Sequence, residues 1–355
     1  MGDKIKVAQW ATGGVGQAAI AGVVAHPDLE LVACHVFSDA KVGKDAGELA
    51  GIGPIGVAAT NSFDELVAAG PDCVVYSPLM GDANDVERFL DAGINIVTPV
   101  GWWYPDPPER ARFEAAGQKG NASIHGTGIH PGGITERFPL MVSALSAKIT
   151  HVRAEEFSDI RSYGAPDVVR DIMKFGATPE DAKSSIMTAV LGNGFGQSVR
   201  MVAAELGFDI DPELSVTHEV AVATKPIDSP IGPIEPGLVA AQHFRWEATV
   251  KGVPVIVAAV NWLMGDDDLD PGWKFGPRGQ RFEVEVEGDP SVELQFHRLH
   301  PSSIAAGLER NPGVVATANH CVSAVPYVVA AAPGVATYLD LPLIAGRAAP
   351  EFNAS

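Results

Sequence analysis

Three short clusters carry the residue types that could do chemistry. The first is Ala11-Thr12-Gly13-Gly14-Val15-Gly16, reached directly from the apolar residues Ile5, Val7 and Ala8. Its spacing matches G-x-G-x-x-G with alanine at the first glycine position, a strand–turn–helix entry that holds a pyrophosphate. Gly13 lets backbone approach a diphosphate, whose charge suits the N–H groups and dipole of the helix that follows. Gly16, with Ala18 and Ala19 behind it, lets that helix lie close to the strand. Ala11 reads as a mild departure, because its side chain is small. The second cluster is Gly126-Thr127-Gly128-Ile129-His130-Pro131-Gly132. Hydride transfer needs a nicotinamide face held against an electrophilic carbon with water excluded. Its glycines permit close backbone approach, so Thr127, Gly128 and His130 are expected beside the nicotinamide ring or its amide.

The third cluster is Pro99-Val100-Gly101-Trp102-Trp103-Tyr104-Pro105. A carbonyl substrate needs an acid for its nascent alkoxide, whereas an iminium needs none. Tyr104 and His130 are the first candidates for that acid, with Glu156 and Asp159 behind them. Trp102, Trp103 and Trp262 could wall an apolar pocket. The choice of coenzyme falls on His35-Val36-Phe37-Ser38-Asp39-Ala40-Lys41. Ser38 and Lys41 suit the 2′-phosphate of NADP, which is the first reading; Asp39 suits the 2′-OH of NAD, which is the alternative. Ser77 and Pro78, after the next strand, are expected to touch the cofactor as well.

These clusters need a scaffold, and the first third of the chain predicts one. Strands are expected at residues 29–37, 73–77, 94–99 and 123–127, with helices from about residue 14 and over 62–69, 83–92 and 109–119. Strands alternating with helices at this spacing imply a doubly wound parallel sheet, a Rossmann domain. Ligands then bind beyond the carboxyl ends of its strands, where all three clusters fall. The pattern changes near Pro139. A helix over 139–146 leads to strands at 149–157, expected to be antiparallel, and at 215–223, 239–251, 253–261 and 280–287 continuing to 294. Val250-Lys251-Gly252-Val253 suits a tight hairpin. The expected fold is α/β, with the parallel sheet followed by an α+β domain on a largely antiparallel sheet. The expected organisation is a dinucleotide domain at 1–137, a substrate and dimerisation domain at 138–308, and a helix and tail at 309–355 that return to the first domain.

Composition excludes several classes. The chain has 355 residues, 46% hydrophobic and 19% charged, with a formal net charge of −19. That charge repels a nucleic-acid backbone. Cys34, Cys73 and Cys321 form no C-x-x-C pair and read as buried thiols in a reducing compartment. No apolar run reaches membrane-spanning length and no secretion-type leader is evident, so no membrane partner and a cytoplasmic location are expected. No metal is expected: His297-x-x-His300 lacks a further ligand at zinc spacing, and Asp266-Asp267-Asp268-Leu269-Asp270 lacks the glycine and glutamate of a calcium loop.

The ATGGVG turn, the 126–132 loop and the tail TYLDLPLI resemble the dihydrodipicolinate reductase-like superfamily. Within it the chain is most similar to the branch of 2,4-diaminopentanoate dehydrogenase and the native amine dehydrogenases. Its segment DAKVGKDAGELAG resembles actinobacterial members. The resemblance implies a Rossmann domain, an α/β dimerisation domain, a homodimer, and NAD(P)H-dependent reduction of a C=N or C=O group. Amine dehydrogenases of this kind carry an acidic residue in the loop after the fourth strand, to hold the amine. Here that loop has no carboxylate before Asp106, and its aromatic residues suggest a bulky, apolar substrate.

The functional expectation is an oxidoreductase acting on a hydrophobic ketone or imine, as in reductive amination. The alternative is a sensor or scaffold that kept the nucleotide fold and lost turnover.

Overall fold

A computed structural model describes residues 3–185, 187–349 and 352. In chain order it contains β1 (Ile5–Trp10), α1 (Gly14–Ala25), β2 (Leu29–His35), α2 (Ala46–Leu49), β3 (Ala59–Thr60), α3 (Phe63–Ala68) and β4 (Cys73–Tyr76). Next come α4 (Ala83–Asp91), β5 (Asn95–Thr98), α5 (Pro107–Gly120), β6 (Ser123–Gly126), α6 (Phe138–Ser143) and β7 (Ala147–Asp159). Then follow α7 (Pro179–Lys183), α8 (Met187–Leu206), β8 (Ser215–Ala223), β9 (Val239–Val250), β10 (Val253–Leu263) and β11 (Leu269–Asp270). The last are β12 (Arg281–Asp289), β13 (Val292–Phe296), α9 (Ile304–Glu309), α10 (Pro312–Val329) and β14 (Gly334–Val335). Two compact units result: Met1–Ile129 with Val314–Ser355, and His130–Gly313.

The first unit holds a seven-stranded sheet in the order β14-β6-β5-β4-β1-β2-β3, with every pairing parallel. Alternation along the strands builds two cores. Val7, Cys73, Val75 and Val97 face Ala19, Ile20 and Val23 of α1 and Cys321, Val322 and Val325 of α10. Ala8, Val74 and Ile96 face Val86, Phe89 and Leu90 of α4 and Phe113 of α5. The helix starts follow local chemistry. Ser62 caps α3 through Glu65 N–H, Asp82 caps α4, and Asp106 followed by Pro107 opens α5. Strand order reverses direction between β1 and β4, and such a switch point opens a ligand crevice at the carboxyl edge. The two-residue strands β3 and β14 lengthen the sheet beyond what periodicity suggested.

The second unit has a mixed sheet in the order β11-β8-β9-β10-β7-β12-β13. Its strands are antiparallel except for β7 beside β10, which run parallel, so the expectation for residues 149–157 holds on one side only. The stretch 280–294 is two strands rather than one, because β12 and β13 fold back on each other at Pro290 and Ser291. Lys251 at φ 54° and Gly252 at φ 78° form the tight hairpin expected between β9 and β10. One face of the sheet packs Phe244, Trp246 and Val260 under Phe195, Val199 and Val202 of α8. The other face alternates charge: Arg153 meets Glu283 and Glu285, at 3.3 and 2.8 Å, and Arg281 meets Glu283 at 3.0 Å.

Glu136 lies wholly inside this unit, in the wide turn ahead of α6. Its Oε2 accepts from Gly132 N–H at 2.7 Å and Thr135 Oγ1 at 2.6 Å, and its Oε1 contacts the Ser198 hydroxyl of α8. Burial pushes its pKa up to about 7, against the pull of those hydrogen bonds. A proton on Oε1 can point at Ser198 Oγ, whose own proton reaches Gly194 O at 3.2 Å. A carboxyl whose folded pKa is raised loses its stabilising effect as pH climbs from the unfolded value toward the folded one. Glu136→Gln, which keeps the shape without the titration, should gain about 2 kcal/mol on the wild type between pH 5 and 7.5. Urea unfolding of both proteins at the two pH values checks this; a constant difference between them would show that Glu136 titrates normally.

Candidate active site

The glycine turn sits at the carboxyl end of β1, at the switch point. Gly16 is forced there by contact, since a Cβ on it would lie 2.2 Å from the Ala11 carbonyl oxygen. Ala11 adopts φ 76°, so the alanine is less mild a departure than expected; the left-handed region costs an L residue about 1 kcal/mol. Gly13 precedes α1 in extended backbone, no side chain caps the helix, and its first turn holds no acid. A Cβ on Gly13 would meet nothing within 4 Å, so open space lies before the helix N-terminus. Helix N–H groups without an intrahelical acceptor, facing open space, fit a diphosphate.

Three side chains brace the turn. Gln9, buried at the end of β1, donates from Nε2 to Ala11 O at 2.9 Å and to Ser77 Oγ at 2.8 Å. Lys41 brings Nζ to 3.0 Å from Thr12 Oγ1 and 3.3 Å from Thr12 O. Gln17 donates to the same carbonyl at 3.1 Å. Ser38 is exposed, and Asp39 accepts from Asn61 Nδ2 at 3.1 Å. Gly14 and Val15 begin α1, with Val15 packed against the core, while Pro78 directly follows Ser77.

The end of β6 is held from three directions. Thr127 is buried; its N–H donates to Thr98 O at 2.8 Å, and its carbonyl accepts from Trp103 Nε1 at 2.9 Å. Its hydroxyl contacts Tyr338 OH and lies 3.2 Å from His320 Nδ1. That nitrogen is also 2.7 Å from Gly128 O, which can only accept, so Nδ1 carries the proton. Sequence alone gave His320 and Tyr338 no part here; a lone histidine in an apolar helix was the available signal. Trp102, at φ 63°, is buried in the core against Tyr76 and Phe113, so it does not wall a pocket. Trp103 is buried as the strut to Thr127. Tyr104 is half-buried between β5 and α5.

His130 lies in the second unit, with its ring against Phe195 and Phe282. Burial drives its pKa down to about 4, and its Nε2 is 3.2 Å from Ala259 O. The neutral ring spends its one proton on that carbonyl, so His130 has none to give as a catalytic acid. Glu156 is half-buried on β7, where Oε1 accepts from Ser158 Oγ at 2.5 Å and Trp262 Nε1 at 3.1 Å. His300 Nε2 lies 2.8 Å from Ser158 Oγ, whereas His297 bonds Gln295, so the two histidines share no ligand. Among the described residues no group of three or more His, Cys, Asp or Glu is gathered as a metal site.

Residues 6–97 match the family described as dihydrodipicolinate reductase, N-terminus, and residues 134–351 match the 2,4-diaminopentanoate dehydrogenase C-terminal domain. An amine dehydrogenase of Streptomyces virginiae is 31% identical, covering 96% of each chain. A 2,4-diaminopentanoate dehydrogenase of Acetoanaerobium sticklandii is 22% identical over 73% of this chain and 69% of its own. The structure of the amine dehydrogenase from Mycobacterium smegmatis shares the fold, with a TM-score of 0.74 at 20% identity over 97% of both chains. Nicotinamide chemistry fits the open, uncapped turn described above. The chain belongs to the family of 2,4-diaminopentanoate dehydrogenase and the amine dehydrogenases, and it is an NAD(P)-dependent oxidoreductase.

Proposed function

We propose that the chain interconverts a hydrophobic ketone and its primary amine, using NADPH to reduce the imine formed with ammonia. The observation that carries this reading is the cofactor turn: open space at Gly13, closure at Gly16, and an uncapped α1. When bound, the nicotinamide supplies the hydride. Thr127 and Gly128 would hold its carboxamide side, braced by Trp103, His320 and Tyr338. Phe37, Leu79 and Met80 are exposed apolar residues just beyond β2 and β4, suited to the faces of an adenine ring.

A C=N acceptor is favoured over C=O on the likeness to amine dehydrogenases. Reducing a carbonyl requires an acid, and His130 is spent on Ala259 O. An iminium already carries its proton. For a carbonyl substrate the acid candidates that remain are Tyr104 in the first unit and Glu156 in the second. NADP is preferred because Lys41 stands over Thr12, where a 2′-phosphate would gain a cation.

The three thiols are buried and unlinked, in keeping with a reducing cytoplasm, and no helix among the described residues is long and apolar enough to cross a membrane. A homodimer is proposed on the family resemblance; light scattering at the mass of one chain would end that.

The direct test follows NADPH oxidation with hydrophobic ketones, with and without ammonia. Ammonia-dependent oxidation is expected. Oxidation with ketone alone would make the protein an alcohol dehydrogenase, and binding without turnover across the panel would make it a sensor. Gly13→Asp should weaken coenzyme binding by at least ~10-fold, since a carboxylate would occupy the diphosphate's place. Lys41→Ala should loosen the turn for both coenzymes yet lower the NADPH-over-NADH ratio of kcat/KM by roughly 10-fold, the loss of one charge-assisted contact. An unchanged ratio would remove the NADP assignment.

A further inference from the structure

The second unit contains a carboxylate whose partners cover only half of it. Glu156 Oε1 accepts from both Ser158 Oγ and Trp262 Nε1. Among the described residues no donor meets Oε2, and no Lys, Arg or His forms an ion pair with the group. Its surroundings are aromatic. Phe282 lies directly opposite on β12, Trp262 projects from β10 beside Ser158, and the pKa of the Tyr163 phenol is raised by burial first and by the Glu156 charge second. Ser158 is held in turn by His300, whose ring tilts against Phe282 at 4.7 Å. A half-buried carboxylate with one oxygen secured, one oxygen open and aromatic walls lacks a cation with N–H donors.

We propose that Glu156 is the group that binds the nitrogen of the substrate amine as a primary ammonium, with Ser158 and His300 as its positioning residues. This rests on the reading that the reaction concerns an amine. In the oxidative direction the ammonium gives one proton to Glu156 Oε2, leaving R2CH–NH2 and a neutral carboxylic acid; the nitrogen lone pair is then free to assist the hydride loss of the NAD(P)-dependent oxidation to the iminium. In the reductive direction Glu156 returns that proton to the amine formed. Burial pushes the Glu156 pKa up to about 7, which lets the same group hold or release the proton near neutrality. The aromatic segment at 99–105, which offers no carboxylate, then has no need of one.

The test uses cyclohexylamine and its neutral counterpart cyclohexanol, titrated by calorimetry into the full-length protein with oxidised coenzyme bound. The wild type should bind the amine more tightly than the alcohol. Glu156→Gln, which preserves an acceptor for Ser158 and Trp262, should weaken amine binding by about 30-fold and leave alcohol and coenzyme binding within about 2-fold. Ser158→Ala should raise KM for the amine several-fold with kcat nearly kept. If the glutamine variant does not fold, Glu156→Asp replaces it, and loss of the preference for amine over alcohol in a folded aspartate variant counts against the proposal. Equal amine affinity and turnover in Glu156→Gln and wild type would overturn this inference while leaving reductive amination intact. Failure of the wild type to oxidise any amine would instead overturn the functional reading, and calorimetry would still decide whether Glu156 binds ammonium.

Discussion

The contact between Gly16 and the Ala11 carbonyl governs the first unit. With a would-be Cβ 2.2 Å from that oxygen, only glycine lets α1 begin where it does, directly over the end of β1. From that start α1 lays Ala19, Ile20 and Val23 on the sheet and meets α10, where Gly22 lies against Asn319 and Val322. The same approach turns the uncapped helix start toward the switch point, and Gln9 ties that point to β4 through Ser77. Ala11 absorbs the sharp turn in a left-handed conformation, a local cost borne where backbone must come close to a ligand.

Burial sorts the ionisable groups of the second unit by what they can still donate or accept. Glu136, sealed beneath α8, has both oxygens engaged by protein hydrogen-bond partners and serves as an internal brace for the turn from Gly132. His130 is pushed to the neutral form and gives its proton to a backbone carbonyl. His300 is likewise held neutral by burial, down to about 4, and supports Ser158. Glu156 differs because one oxygen remains without a protein donor among the described residues. Desolvation raises the two acids alike, so hydrogen-bond saturation rather than pKa separates the structural carboxyl from the chemically available one.

Much of the parallel sheet was legible because strands buried on both faces read as short apolar runs between capped helices. Residues 83–91 are such a case, with Asp82 as cap and Val86, Phe89 and Leu90 inward. The cofactor turn was legible for the same reason: its constraints are local. The long helix α8 was not, because Gly192, Gly194 and Gly196 lower helix propensity and mimic a loop. Their use appears only in three dimensions, where Gly192 passes 3.2 Å from the Trp246 ring nitrogen and Gly196 lies 3.4 Å from Leu214, each measured from the Cβ it lacks. Trp102 misled through composition, since a paired tryptophan in a loop looks exposed; its left-handed backbone folds the indole back over Gly81. The Thr127–His320–Tyr338 cluster and the Glu156–Ser158–His300 chain join residues more than a hundred positions apart, and no spacing rule reaches them.

A chain with a net charge of −19 that binds a polyanionic coenzyme needs a local field opposed to its global one. Charges farther than about 8 Å are screened at physiological ionic strength, so most of the surface acidity is weakly felt at the turn. What remains is short-range: unpaired helix N–H groups, a first turn without acid, and Lys41 at 3.0 Å from Thr12. Asp39, the acid nearest in sequence to Lys41, is already engaged by Asn61. The same short range argues for Glu156 in the second unit. A primary ammonium is drawn in by a negative protein at distance, but it is held only where a carboxylate oxygen is both open and shielded from water.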